Sequence, residues 1–432
     1  MPIPMEKWVS ANSEPPASRA NASNFVFMSF SLLADSRVQA VYHKVSGLDS
    51  AEAQAVGGVC GPSVVVFSQG IGSKEVRVSR QRRIASVISP KWYDFHQARG
   101  RCDNLGKSRF GMLDSSPTTS LSRDLEQQLI RRRGVEARHH QHLKAHGHGD
   151  FLLRHQRVVR AVLKGALQVT GLYQRGLSNA LRPIVRHLRL EFPNLPLSLN
   201  GFRILHLSDL HIDGMDGLAE TLAEQLSLLP VDLCVLTGDY RFEVYGACEA
   251  IYPRMNRIVS SIRARYGILG ILGNHDCADI AIHLEKMGVR MLINEAVQIG
   301  PPENRLSVLG IDDSYYYHCD DLAAARGDVP GQDFKLLLAH TPELFSEAHE
   351  AGIDLYLSGH THAGQIRLPW LGPLILHAEC PADFTGGPWR YRSMEGFTSA
   401  GVGCSLLPVR FGCPPEIVIV ELAARAGDLQ TQ

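Results

Sequence analysis

An α/β fold of the α+β sandwich type is predicted for the second half of this 432-residue chain by three observations. Short apolar runs bounded by Gly, Pro or Asp recur along it, as buried strands require. A helical stretch with one apolar face separates the first two runs, and a residue able to bind metal follows every run. The runs cover 202–208, 231–237, 267–272, 334–338 and 354–358. Between the first two, Leu218, Leu222 and Leu226 stand four apart and form one face of a helix. Strand and helix therefore alternate, and the polar residues collect at the strands' carboxyl ends, where open α/β sheets place their sites.

The polar residues form an ordered set: Asp209-Leu-His211, Gly238-Asp239, Gly273-Asn274-His275-Asp276, Ala339-His340 and Gly359-His360-Thr361-His362. Asp, Asn and His offer oxygen and nitrogen donors, and a carboxylate can bridge two cations roughly 3.5–4 Å apart. No cysteine belongs to the set. Imidazoles and carboxylates without thiolate favour Mn, Fe, Zn, Ni or Co over an iron–sulfur cluster or a closed structural zinc site. One histidine is more often a satisfied core residue than a ligand, but four delivered in order at strand ends reverse that expectation. His206, inside the first run between Leu205 and Leu207, reads as core, and Asp213 as a turn former. Thr341-Pro342 fits a strand turning sharply after His340. Gly401 and Gly403 mark a close approach of backbone, either to substrate or to a neighbouring strand.

The order D-x-H, G-D, G-N-H-D, H, G-H-x-H resembles that of the calcineurin-like metallophosphoesterases over 195–425. The string His360-Thr-His-Ala-Gly-Gln365-Ile and the later Arg410-Phe-Gly-Cys-Pro-Pro-Glu416 resemble a bacterial phosphodiesterase subgroup that often carries a basic or membrane-anchoring amino-terminal segment. The resemblance implies a four-layer β-sandwich flanked by helices and a two-metal-dependent phosphoester hydrolase, within that class a phosphodiesterase. It implies that Asp209, His211 and His362 hold one divalent metal, that Asn274, His340 and His360 hold the other, and that Asp239 bridges them. A hydroxide shared by the two cations would then be the nucleophile. His275 stays free to bind a phosphoryl oxygen or to protonate the leaving group, and Asn274 would also touch substrate. Asp276 either orients the His275 ring or serves the loop's own structure. Gln365 and Arg410 either shape the substrate pocket or pack. The family's lipid A-pathway pyrophosphatases commonly show Arg where His275 stands, so this chain departs from that branch.

Upstream, 1–120 read as poorly organised apart from a hairpin near 64–78, with neither a secretory leader nor a run long enough to span a bilayer. A natural start at Met112 would suit that pattern. Residues 121–192 read as a basic helical segment, because formal net charge is zero overall while 121–200 hold fourteen Lys or Arg against five Asp or Glu. Arg154, Arg157, Arg160 and Lys164 share a broad helix face, suited either to an anionic membrane surface around 151–190 or to packing on the catalytic domain. His139, His140, His142, His146 and His148 read as a solvated linker sooner than a metal site. Nine scattered cysteines suit a reducing cytoplasm. The expected partner is a phosphoester small molecule or lipid headgroup, and the expected location is the cytoplasm, either free or peripheral to the inner membrane face. Two other classes are weaker. A degenerate phosphate-binding scaffold should have lost a ligand and none is missing, while a nucleic-acid binder should interleave aromatics with its basic residues.

Overall fold

The structure, a computed structural model, describes residues 123–145, 148–301, 304–374, 376 and 378–425. The expectations for 1–120, including the hairpin near 64–78 and a start at Met112, lie outside the described residues. The helices are α1 (Arg123–Ala145), α2 (His148–Val169), α3 (Leu172–Ala180), α4 (Leu218–Leu226), α5 (Ile251–Ser261), α6 (Ala278–Lys286), α7 (Leu322–Arg326) and α8 (Phe345–Glu350). The strands are β1 (Ile184–Phe192), β2 (Arg203–Leu207), β3 (Leu233–Leu236), β4 (Ile268–Gly270), β5 (Val289–Met291), β6 (Glu295–Ile299) and β7 (Leu306–Gly310). They continue with β8 (Phe334–Leu338), β9 (Leu355–Ser358), β10 (Arg367–Leu368), β11 (Gly372–Pro373), β12 (Gly387–Tyr391), β13 (Met394–Thr398) and β14 (Glu416–Ala424).

Two six-stranded sheets, ordered β1-β14-β2-β3-β4-β5 and β12-β13-β9-β8-β7-β6, account for twelve of these strands, and β10 with β11 forms a separate hairpin. The strands that precede the candidate ligands run parallel within each sheet: β2 with β3 and β3 with β4 in one, β8 with β9 in the other. Strands buried on both faces carry near-continuous apolar sequence, and the alternation of side chains decides where each residue goes. Ile204, Leu233 and Val235 point into a core shared with Leu336, Leu338, Leu355 and Leu357 of the facing sheet. Leu205, Leu207, Cys234 and Leu236 point outward to a second core with Leu218, Leu222 and Leu226 of α4, Met255 of α5 and Leu284 of α6. A third core packs Ala325 of α7 and Ala348 of α8 on the far sheet. Helix, sheet, sheet and helix make the four layers of the expected sandwich.

The basic segment differs from expectation at its end. Helix stops at Ala180, and residues 184–192 form β1, paired in parallel with β14 along nine residues. Pro183 ends the helical run by removing a backbone donor. Beyond it Leu188, Leu190 and Phe192 alternate with His187, Arg189 and Glu191, and Leu190 and Phe192 are buried between the sheets. The charged partners in that alternation mimic a basic helix when only composition is weighed. Among the described residues no helix is long and apolar enough to cross a membrane.

Candidate metal centre

Register brings the candidate ligands to one edge. Leu207 of β2 pairs with Leu236 of β3, which pairs with Gly270 of β4, so the loops carrying Asp209, Asp239 and Asn274 leave the first sheet at the same level. Leu338 of β8 pairs with Leu357 of β9, and His340 and His360 leave the second sheet just beyond. The loops turn abruptly there. Asp209, His211, Asp239, His360 and His362 all sit at positive φ, between 39° and 68°, a region that costs most side chains about 1–3 kcal/mol and is retained where surrounding structure enforces it. Gly238 and Gly273 permit the closest approach: a Cβ on Gly238 would lie 2.5 Å from the Gly273 nitrogen, and one on Gly273 would lie 2.3 Å from Asp239 Oδ1.

Within this edge, three groups of ligand atoms each fit within 4.8 Å: Asp209, His211 and His362; Asp239, His340 and His360; and His211, Asp239 and His275. His211 Nε2 faces His362 Nε2 at 3.2 Å, and His362 Nε2 lies 3.6 Å from Asp209 Oδ1. Asn274 Oδ1 stands 2.9 Å from both His340 Nε2 and His360 Nδ1. Between the two sets, Asp239 Oδ2 is 3.6 Å from His211 Nε2, 3.4 Å from His340 Nε2 and 3.9 Å from His275 Nε2.

The rings are oriented from behind, which is what a metal centre requires of its histidines. His211 Nδ1 donates to the Arg241 carbonyl at 2.7 Å and His340 Nδ1 to the Thr237 carbonyl at 2.8 Å, so each turns its Nε2 inward. Burial, with His275 alongside, takes the His211 imidazole down to about 3. Burial also pushes the Asp209 carboxyl up to about 6. Around Asp239 the balance reverses: burial opposes its charge, but His340, His275 and His211 outweigh burial and hold the carboxyl well below its usual range. Burial likewise opposes a charge on His340, yet Asp239 and Asp209 hold that imidazole up at about 10. Oxygen donors and imidazole nitrogens converging on buried carboxylates form a setting that draws positive charge, as the raised His340 shows, so the donor set fits divalent metal.

The remaining sequence candidates fall around this edge. The His275 ring is 15% exposed, against 0% for His211 and His340, and its Nδ1 donates to the Phe242 carbonyl at 2.7 Å. Asp276 does not orient that ring. Its buried carboxylate accepts from the backbone nitrogens of Asp239, Tyr240 and Gly273 at 2.7–2.9 Å and ties two ligand loops together. Gln365 and Arg410 lie behind the ligands and not in an open pocket. The Gln365 amide is taken up by Ser405 and Leu407, and fully buried Arg410 donates to the carbonyls of Gly401 and Gly403 and approaches His362 Nδ1 at 3.3 Å. Gly401 and Gly403 pack on Asp209 and Leu210, which answers the close approach by neighbouring chain. His206 is core, with Nε2 on the Thr237 hydroxyl, and Asp213 lies in a turn and accepts from the Phe242 nitrogen of a neighbouring loop.

Two arginines carry supporting roles that no sequence signal distinguished. Arg241 stands two residues after Asp239, is buried, and donates to the carbonyls of His275, Val244 and Gly246. Arg132 reaches the same region from α1. Its guanidinium donates to Asp312 at 2.5 Å and to the carbonyls of Asp276 at 2.9 Å and Gly273 at 3.3 Å, and lies over the Tyr317 ring. Helix α1 is thereby fastened to the loop that carries Asn274 and His275. His139 and His140 are part of this helix and not of a linker, and pack on Tyr316, Tyr317 and Tyr245. Arg132→Leu is expected to lower stability by about 3–5 kcal/mol, the scale for stranding one partner of a buried ion pair, since Asp312 loses its counter-charge. Urea unfolding reads this directly, and a midpoint equal to the parent's would reject the fastening role.

The calcineurin-like phosphoesterase family model matches residues 202–364. Phosphodiesterase YaeI of Escherichia coli (strain K12) is 28% identical over 231 residues, covering 51% of this chain and 82% of its own. The uncharacterized metallophosphoesterase YkuE of Bacillus subtilis (strain 168) is 27% identical over 276 residues, 61% of this chain and 93% of its own. A transmembrane protein with metallophosphoesterase domain from Danio rerio is 29% identical over 287 residues, 62% of each chain.

Proposed function

With a calcineurin-like phosphoesterase domain over 202–364, the chain belongs to that superfamily and is a metal-dependent phosphoester hydrolase, and we propose that it is a two-metal phosphodiesterase. The observation that carries the two-metal reading is the position of Asp239 Oδ2, 3.6 Å from His211 Nε2 and 3.4 Å from His340 Nε2, between two sets of donors. In this reading Asp209, His211 and His362 hold one divalent cation, Asn274, His340 and His360 hold the other, and Asp239 bridges. When bound, the cations supply the activated nucleophile and withdraw charge from the phosphoryl oxygens. His275 has Nδ1 held by the Phe242 carbonyl, so Nε2 is the nitrogen left to carry a proton to the leaving group. Asn274 and His275 meet the phosphoryl group, and their common loop is held in place by Asp276 and Arg132.

The likeness to the Escherichia coli phosphodiesterase favours a diester over a monoester. A phosphoester small molecule or a lipid headgroup is the proposed substrate class. Contact of 151–190 with the cytoplasmic face of a membrane belongs to the same reading. It is supported by eight Lys or Arg and no Asp or Glu in that stretch. The experiment is a panel of mono- and diesters assayed after chelation and readdition of Mn, Fe, Zn, Ni or Co. Diester turnover restored at two equivalents of metal is the expected result. Full restoration at one equivalent would overturn the two-metal assignment, and faster monoester turnover would overturn the diester preference.

A further inference from the structure

Immediately after His362 and Gln365 the chain leaves the sandwich as the hairpin of β10 and β11, with Arg367 opposite Pro373 and Leu368 opposite Gly372. Its surface runs against the usual rule. Leu368 is 41% exposed, Trp370 103%, Leu371 80% and Leu374 57%, and Arg367 is the only charge in 366–376. A contiguous exposed apolar patch of this kind marks an interaction surface. Two short strands are marginal alone, and this hairpin is fastened at its base: the Arg367 nitrogen donates to the Phe411 carbonyl at 2.8 Å and the Leu374 nitrogen to the Ile366 carbonyl at 2.9 Å. The tip is therefore held out from the metal edge by backbone hydrogen bonds.

The same support carries the basic segment. Gly176 of α3 is packed so closely on Phe411 that a Cβ there would lie 2.7 Å from its ring, and Phe411 bridges to Ile366 at the hairpin's foot. Arg160 of α2 turns inward, paired with Glu243 and lying over Phe242. On the far side of that helix Val158, Val162 and Val169 line up at helical spacing, 55%, 65% and 90% exposed. Arg157 and Lys164 lie on the Arg160 side of the helix and not beside this stripe.

We infer that the Trp370–Leu371 tip is an interfacial anchor for an anionic phospholipid bilayer, inserting alongside the basic segment 151–190 so that the metal edge meets the lipid surface. The inference rests on the proposed membrane contact of 151–190 and goes beyond it by assigning the apolar grip to the hairpin. A tryptophan at headgroup depth with leucines below it is the composition such an interface selects. The positive segment matches the bilayer's negative charge. A stretch of this length is too short to span and is suited to lying in the interface.

The test uses the full chain, loaded with metal, in sedimentation with vesicles of phosphatidylglycerol and phosphatidylcholine and with phosphatidylcholine alone. Binding to the anionic vesicles is expected, and the W370S/L371S double variant should bind roughly tenfold more weakly or worse, the scale of losing one large buried apolar side chain. Hydrolysis of a water-soluble diester should be unchanged in that variant, which also shows that it is folded. Equal vesicle binding by parent and double variant would overturn the hairpin's role while leaving membrane contact through α2 intact. No vesicle binding by the parent would overturn both, with the metal-dependent diesterase reading still judged by the soluble substrate. Conversion of a parent dimer to a monomer by the double variant, without vesicle binding, would assign the tip to a second copy of this chain and overturn the inference.

Discussion

Asp239→Asn is expected to empty both metal positions and to remove more turnover than the roughly 10²–10⁴ that loss of a positioned proton donor removes. The reason lies in the placement of one oxygen. Oδ2 stands between His211 and His340 while Oδ1 accepts from the His275 nitrogen at 2.8 Å, so the carboxylate joins both donor sets and the loop of Asn274 and His275. An amide keeps the shape, but it brings no negative charge and turns one of its two ends into a donor. The backbone at this position stays anchored, because the Asp239 and Tyr240 nitrogens donate to Asp276, not to the substituted side chain. Metal content after desalting, measured beside diester turnover, checks the prediction. Two equivalents of metal with undiminished turnover would reject the bridge, and loss of one equivalent alone would make Asp239 a ligand of a single cation.

The parts of this centre that were legible in the sequence are those delivered by short-range rules. A strand buried on both faces announces itself by an unbroken apolar run, and parallel pairing places the residues that follow at a common level, so the ligand edge could be read from 202–208, 231–237, 267–272, 334–338 and 354–358. Leu218, Leu222 and Leu226 were legible for the same reason, and all three are buried. What could not be read depends on contacts between distant segments. Arg132 has the composition and setting of a solvated arginine, between Arg131 and Arg133, both of which are exposed, and only the approach of Asp312 and the Asp276 carbonyl distinguishes it. Gln365 and Arg410 sit in strings that suggested substrate contacts, yet the fold turns both toward the 401–407 backbone. In β1 the error was one of period: alternating Leu and Arg satisfies both a basic helix and an edge strand until Pro183 is given its weight.

The ligand loops also show why apolar runs alone do not specify the centre. Asp209 and His360 come from different sheets, and the His360 nitrogen donates to both oxygens of Asp209 at 3.0 Å. Gly359 makes room for this crossing, since a Cβ there would lie 1.9 Å from the Ser208 hydroxyl. The positive φ values of Asp209 and His360 follow from two chains forced together at a sheet edge, and that strain is sustained by the cores beneath it.

His275→Ala should separate chemistry from metal binding. Turnover is expected to fall by roughly 10²–10⁴, the range for positioned proton transfer, while metal content stays at the parent level. The geometry also supports a rival reading, because His275 forms a ligand-type group with His211 and Asp239. It is disfavoured by the ring's greater openness and by the 3.9 Å from its Nε2 to Asp239 Oδ2, longer than the corresponding distances from His211 and His340. The choice of leaving group adds a second reading of the same variant. An aryl oxide of low basicity departs without a proton, so the variant's deficit should shrink for a nitrophenyl diester and be largest for an alkyl diester. A deficit equal for both would mean that His275 contacts the phosphoryl oxygens and donates no proton to the leaving group. A variant that loses metal in proportion to activity would make His275 a ligand.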